Sequence, residues 1–135
     1  MKKKQLEIFL QQTPKFINPK ENLEQYQTPA VIAADLLFFA YQHRDIENKI
    51  VVDLGCGTGI LSFGAAVLNA RKVIGIDIDE KSISIAKEFA KDKRLSITFL
   101  QKDISSVDAL ADTVIMNPPF GAQKSNHHAD RAFLE

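Results

Sequence analysis

The chain has 135 residues, 45% of them hydrophobic, which suffices for one globular domain and leaves no room for a second of full size. Its 17 basic and 17 acidic residues cancel, so the composition excludes a strongly basic nucleic-acid-binding chain and allows only local basic patches. The apolar runs are too short or too interrupted to cross a bilayer, and no leader opens the chain, so we predict a cytoplasmic protein without membrane association. Cys56 is the only cysteine, which argues against a disulfide framework.

The N-terminal part, residues 1–28, is predicted to form a short helix and a covering segment. Leu6, Phe9 and Leu10 have helical spacing, and a polar loop follows them. Thr28 and Pro29 then mark a second helix, with Thr28 as N-cap and Pro29 at the first helical position, running to about His43. We expect the second helix to lie against a sheet through one apolar side that consists of Ile32, Ala33, Leu36, Phe39 and Ala40.

Strands and helices alternate in the rest of the chain. Apolar runs predict strands near residues 50–54, 73–78, 97–100 and 113–116, and helical spacing predicts helices over 60–69 and 80–93, the latter capped by Asp79. Such alternation is typical of parallel βαβ units with right-handed crossovers. The predicted fold class is therefore α/β, with a doubly wound, mostly parallel sheet whose ligands bind at the carboxyl ends of the strands.

A glycine-rich turn follows the first predicted strand, with glycine at positions 55, 57 and 59. This spacing differs from the G-x-G-x-x-G dinucleotide pattern, and the preceding Asp53 disfavours a pyrophosphate and favours an ammonium group. Asp77, at the end of the second strand, can accept hydrogen bonds from two ribose hydroxyls. A nucleoside with an ammonium group indicates S-adenosylmethionine. The alternative is that both acids only end strands and cap helices.

Asp103, at the end of the third strand, has two interpretations that the sequence leaves open. Its side chain could meet an adenine amino group, or it could cap a turn.

The second motif is Asn117-Pro118-Pro119-Phe120, directly after the fourth predicted strand. The two prolines stiffen the backbone, so the Asn117 side-chain oxygen and the Pro118 carbonyl can face one point and accept both hydrogens of a planar NH₂ group. Phe120 offers a stacking face for a flat base. The alternative is a rigid turn with a core phenylalanine.

These motifs resemble those of S-adenosylmethionine-dependent methyltransferases with an Asn-Pro-Pro-aromatic motif. With residues 23–29 and 130–134, the chain is similar to the archaeal and eukaryotic methyltransferase-like-5 family, which methylates adenine N6 in small-subunit ribosomal RNA. The resemblance implies a Rossmann-like class I methyltransferase fold. It also implies contact with the target amine at Asn117, Pro118 and Phe120, in a catalytic motif that includes Pro119. It implies cofactor contact at Gln25, Tyr26, Thr28, Asp53, Gly55, Cys56, Gly57, Asp77 and Asp103.

The polar segment after Phe120 has two interpretations that stay open: it contacts RNA phosphate through Lys124 and Arg131, or it is a solvated loop. His127, His128 and Asp130 invite a metal site, but neighbours in sequence converge poorly on one ion, so we predict no metal there. The resemblance further suggests a small zinc-binding activator protein that pairs with the edge strand near residues 97–101.

The family fold has seven strands, whereas this chain ends soon after the fourth. We therefore expect residues 29–135 to be an incomplete methyltransferase domain that keeps the cofactor half of the site and lacks much of the substrate surface. Two other functions stay open: a methyltransferase acting on a protein glutamine amide, and an inactive cofactor-binding fragment or partner subunit.

Overall fold

A computed structural model describes residues 1–15, 28–106 and 110–116. Within these ranges the strands follow the chain positions that the apolar runs predict, to within a residue or two, and short turns join them to helices. In chain order the elements are α1 (Lys3–Leu10), α2 (Ala30–Gln42), β1 (Ile50–Leu54), α3 (Ile60–Val67), β2 (Lys72–Asp77), α4 (Glu80–Lys93), β3 (Thr98–Gln101), a single 3₁₀ turn (Ile104–Ser106) and β4 (Thr113–Met116).

The described strands form one parallel sheet in the order β3-β2-β1-β4. In this sheet Leu54 at the end of β1 pairs with Ile76 of β2 and with Met116 at the end of β4. This arrangement confirms the predicted α/β class with its parallel sheet. Because all strands run the same way, the residues that follow each of them emerge along a single edge of the sheet.

Phenylalanine rings join the helices that pack on this sheet. The Phe63 ring of α3 lies 4.6 Å from the Phe89 ring of α4, and Phe89 also meets Phe9 of α1, so these helices share one face of the sheet. Aliphatic side chains fill the space nearer β1 and β4, where Leu37 and Val51 are fully buried. The amphipathic pattern of α1 is confirmed, with Leu6 and Leu10 buried.

Helix α4 has the predicted bounds, whereas α2 departs from its prediction in two respects. Asp79 caps α4 by accepting a hydrogen bond from the Ser82 backbone N–H at 3.3 Å. Helix α2 begins one residue later than predicted, at Ala30, and Pro29 is its cap. None of the helices in the described ranges is long and apolar enough to span a membrane.

The predicted buried face of α2 was only partly right, since Ala33 is buried and Leu36 and Ala40 pack partly buried against the core, but two of its members are exposed. Ala33, Ala34 and Leu37 are buried, whereas Ile32 and Phe39 are 55% and 63% exposed. The helix packs chiefly against α1 and α3 rather than against the sheet. The reason lies in its composition: α2 is apolar on nearly every side, so its helical periodicity cannot say which side faces inward.

Candidate functional site

The glycine turn joins β1 to α3 at the carboxyl edge of the sheet. Gly55, Gly57 and Gly59 all have positive φ, at 71°, 56° and 100°, a region that other residues rarely adopt. The backbone N–H groups of Gly55 and Cys56 both donate to the Ile76 carbonyl, at 2.7 and 2.9 Å. The turn is therefore fixed to the neighbouring strand β2.

The three glycines differ in whether a side chain would fit at their position. A Cβ atom on Gly55 or Gly57 would meet no atom within 4 Å, whereas one on Gly59 would lie 2.9 Å from the Phe63 ring. Gly59 is therefore required by the packing of α3. Gly55 and Gly57 leave open space over the turn, into which a ligand can approach the backbone closely.

Asp53 is the buried carboxylate beneath the turn, with 1% of its surface exposed. The Ser62 hydroxyl of α3 donates to Oδ2 at 2.7 Å, while Oδ1 is buried and has no hydrogen-bond partner among the described residues. Burial raises the pKa of Asp53 from 3.8 to about 7, against the lowering effect of the Ser62 hydrogen bonds. A buried anion with one oxygen unpaired is costly, so this site suits a ligand that brings a positively charged donor.

Asp77, at the end of β2, is already hydrogen-bonded to backbone on both oxygens. Oδ2 accepts from the Gly57 N–H and Oδ1 accepts from the Asp79 N–H, each at 2.8 Å. Each carboxylate oxygen can accept a second hydrogen bond, and Asp77 is only partly buried. The side chain can therefore hold the turn and still accept two hydroxyl groups.

Two further predicted or neighbouring residues, Cys56 and Thr58, belong to the turn itself, and a third, Thr28, precedes α2. Cys56 is buried, its thiol 3.6 Å from the Gly57 carbonyl oxygen, and burial raises the pKa of this thiol, which keeps it protonated and unsuited to act as a nucleophile. Thr58, which the sequence did not single out, donates its hydroxyl to the Pro14 carbonyl at 2.9 Å and so ties the chain after α1 to the turn. Thr28 is buried just before α2.

The structure supports the turn role for Asp103. Its Oδ1 accepts from both the backbone N–H and the hydroxyl of Ser105, at 3.0 and 2.9 Å, and the backbone hydrogen bond is the larger cause of its lowered pKa. The residue is exposed, just past β3 at the carboxyl edge. Its position at the carboxyl edge is compatible with the adenine contact, which stays a prediction.

Two apolar residues at this edge were missed by the sequence reasoning. Ile78 directly follows Asp77 and is 66% exposed, and Ile104 directly follows Asp103 and is 42% exposed. Large apolar side chains exposed beside polar site residues suit a flat, apolar ligand surface. The available signal was the isoleucine that follows each of the two acids.

Several predicted site residues lie outside the described ranges and stay predictions. They are Gln25, Tyr26, Asn117, Pro118, Pro119, Phe120, Lys124 and Arg131. The described residue before this second motif is Met116, which pairs with Leu54, the residue before the glycine turn. Among the residues that the structure describes, no three His, Cys, Asp or Glu side chains come together in a way that could bind a metal ion.

Comparison with known proteins identifies the class to which this sheet and turn belong. Residues 32–135 match the family model described as methyltransferase small domain, and the chain belongs to this family. The chain is 45% identical to the rRNA N(6)-adenosine-methyltransferase METTL5 of Danio rerio, over the whole chain and 68% of that protein. It is 47% identical to an uncharacterized protein of Methanocaldococcus jannaschii, over the whole chain and 65% of that protein.

Solved structures agree with this assignment. A candidate RNA methyltransferase from Pyrococcus horikoshii superposes with a TM-score of 0.83 at 45% identity, covering 98% of this chain and 66% of that one. Magnesium protoporphyrin IX methyltransferase from Synechocystis, solved with bound S-adenosylmethionine, gives a TM-score of 0.59 at 28% identity, covering 63% of this chain and 42% of that one. The chain spans about two thirds of the length of the relatives that it matches along its whole length.

Proposed function

We propose that this protein transfers a methyl group from S-adenosylmethionine to the N6 amino group of an adenine in RNA, in particular in small-subunit ribosomal RNA. The observation that carries the proposal is the similarity to METTL5 of Danio rerio, named an rRNA N(6)-adenosine-methyltransferase, along the whole chain. The second predicted motif follows β4, whose last residue Met116 pairs with β1 just before the glycine turn. The methyl donor and the target amine would thus meet at one edge of the sheet.

The described residues fit the cofactor. The unpaired Oδ1 of Asp53 would accept the ammonium group, and the open space over Gly55 and Gly57 would admit the methionine part close to the backbone. Asp77 would accept the ribose hydroxyls through the second lone pairs of its oxygens, and Ile78 would pack against the adenine ring. When bound, this cofactor supplies a methyl group made electrophilic by a sulfonium.

The target amine needs help because its lone pair is delocalised into the adenine ring. Asn117 Oδ1 and the Pro118 carbonyl would accept the two N–H hydrogens, which favours pyramidal nitrogen and directs its lone pair at the methyl carbon. The amine held in this way would take up the methyl group that the sulfonium supplies, leaving a neutral thioether, and its extra proton would pass to water. Pro119 would keep the backbone rigid, and Phe120 would stack on the base. Lys124 and Arg131 would contact RNA phosphates.

Methyl transfer to RNA and to protein separates the two candidate enzymes. The second candidate, a glutamine N5-methyltransferase, rests on 36% identity over 65% of this chain to a Methanocaldococcus jannaschii protein with that provisional name. Incubation with labelled S-adenosylmethionine should label small-subunit ribosomal RNA, and nuclease digestion should release N6-methyladenosine. Label only in N5-methylglutamine of a protein would contradict the RNA function and support the second candidate.

Ile78→Ser should weaken S-adenosylmethionine binding without changing the fold, because the side chain is exposed and its contact would be with the adenine. Losing most of an isoleucine's buried area costs about 1.5 kcal/mol, so we expect a dissociation constant roughly tenfold higher by calorimetric titration. Ile8→Ser, which changes a 49% exposed isoleucine on α1, is the matched control. Equal affinities of Ile78→Ser and the parent would exclude Ile78 from the cofactor site.

The protein's partner, its division into domains and its cellular location are further proposals. Strand β3 lies at the edge of the described sheet, hydrogen-bonded to β2, and the small zinc-binding activator protein would pair with it near residues 97–101. Residues 1–28 would form the N-terminal helix with the cofactor-covering segment, and residues 29–135 part of the methyltransferase domain. The protein would act in the cytoplasm.

A further inference from the structure

A basic cleft lies at the amino ends of β2 and β3, at the opposite edge of the sheet from the glycine turn. Its volume is about 400 Å³, and three cationic side chains line it, Arg71, Lys72 and Arg94. Ser96 and Thr98 add hydroxyl groups, and the remaining lining is Ala66, Ala70, Val73 and Leu95. No acid within the described ranges lines this cleft, although acids and bases are equal in number in the chain.

The three cations are exposed, and none of them forms an ion pair within the described residues. The nearest acid in sequence, Asp92 on α4, is not part of the lining. Elsewhere on this edge acids are interspersed with bases, as at Asp45, Glu47 and Asp112 near β1 and β4. The positive charge is thus concentrated on the β2 and β3 side.

The backbone that carries these cations is held firmly. The N–H groups of Arg71 and Lys72 donate to the Lys49 carbonyl, at 2.9 and 3.3 Å. Arg94 ends α4 in the left-handed region, with φ of 57°, a position that glycine usually takes. A cation near the last carbonyl groups of a helix is favourable, but this effect does not require the two further cations across the cleft, Arg71 just before β2 and Lys72 at its start.

We propose that this basic cleft binds phosphate groups of the RNA substrate. The inference rests on the proposed function, which supplies the ligand class. The described part of the carboxyl edge exposes the acids Asp77 and Asp103 against one cation, Lys102, so it offers RNA no net positive charge, and cations elsewhere on the protein would help to hold the RNA. The two edges are one strand apart, roughly 17–20 Å, a distance that a folded RNA can span. Arginine is well suited to grip phosphate in two-point contact, and the hydroxyls can donate further hydrogen bonds.

The test compares two double variants with the same change of charge. Arg71→Gln/Arg94→Gln removes two cations from the cleft, and Lys87→Gln/Lys91→Gln removes two exposed cations from α4 outside the cleft. Binding of a fluorescent small-subunit ribosomal RNA fragment is measured at several salt concentrations, together with methyl transfer to the same RNA. Calorimetric titration with S-adenosylmethionine shows whether each variant keeps an intact cofactor site.

We expect the cleft variant to bind RNA several-fold more weakly at low salt. Each lost phosphate contact should flatten the slope of log affinity against log salt by about 0.7–0.9, so two should change it by about 1.4–1.8. The α4 variant should keep the parent's slope, and both should bind the cofactor normally.

The cleft variant and the parent could show the same slope of log affinity against log salt, with methyl transfer intact. That result would overturn RNA binding by the cleft while leaving the proposed function in place. The parent protein could also transfer no methyl group to RNA while the cleft variant still shows the flattened salt slope. That result would overturn the proposed function and support RNA binding by the cleft. If the parent protein does not bind the RNA fragment at all, RNA binding by the cleft is refuted.

Discussion

Asn117→Ala should slow methyl transfer to RNA about 10²–10³-fold while S-adenosylmethionine binds nearly as in the parent. The substitution removes one of the two acceptors proposed to hold the target amine, and such a contact matters most as the amine attacks the methyl carbon. Removing a single preorganised hydrogen-bonding group from an active site lowers kcat by about 10²–10³-fold. Single-turnover transfer of labelled methyl to ribosomal RNA, with calorimetric titration of the cofactor, measures both effects.

Asn126→Ala is the matched control, because it makes the same chemical change nine residues further along the chain. It should keep the parent's rate. If Asn117→Ala lost cofactor binding and transfer to the same degree, the residue would be part of the cofactor site or of the fold, and the role in holding the amine would be refuted.

Asp53→Asn should weaken cofactor binding strongly and at the same time stabilise the protein above pH 7. The ammonium group would lose a buried, charged acceptor, and hydrogen bonds to charged groups contribute about 1.5–3 kcal/mol, so the dissociation constant should rise roughly 10- to 100-fold. The stability gain arises because the free protein no longer buries an anion whose Oδ1 has no partner. Ser62 can still donate its hydrogen bond to the asparagine oxygen.

The pH dependence has a definite sign. Burial raises the pKa of Asp53 from 3.8 to about 7, so between these values the folded state holds a proton that the unfolded state has lost. The stability that this proton provides is present at pH 4 and disappears as the pH rises to 7, about 4 kcal/mol in total. Asp53→Asn should therefore match the parent near pH 4 and unfold at higher temperature at pH 8.

Thermal unfolding of the ligand-free proteins from pH 4 to pH 8 measures this difference. Asp92→Asn, at an exposed position of α4, is the control and should follow the parent throughout. An Asp53→Asn variant that is no more stable than the parent at pH 8 would show that the carboxylate is not under strain in the free protein. If Asp53→Asn binds the cofactor as tightly as the parent does, the proposed contact between Asp53 and the ammonium group is refuted.

The sequence predicted the sheet well because its strands carry unambiguous signals. Continuous apolar runs end at Asp53 and Asp77, and α4 has a capping acid, a clear apolar stripe and a charged opposite face. In α2 the same approach was only partly right, because nearly all its residues are apolar and the packing of α1 and α3 against it decides that Ala34 is buried and Phe39 is exposed. Periodicity identifies a helical face only where polar residues mark the other one.

The sequence predicted which residues form the site better than it predicted the contacts between them. The glycines and acids were visible as residues, but the hydrogen bond from Ser62 to Asp53 depends on how α3 lies over β1. The exposure of Ile78 and the gathering of Arg71 and Arg94 across β2 and β3 likewise depend on tertiary packing. Residues more than a few positions apart become neighbours only when the strands pair.

Asp77 links the glycine turn to β2 through the hydrogen bond from the Gly57 N–H. A turn held in this way has less conformational entropy to lose when a ligand binds to it. A substitution at Asp77 would remove a ribose acceptor and also release the turn. The affinity lost on mutating this residue is thus a sum of two effects, and only a second variant that loosens the turn without touching Asp77 can separate recognition from preorganisation.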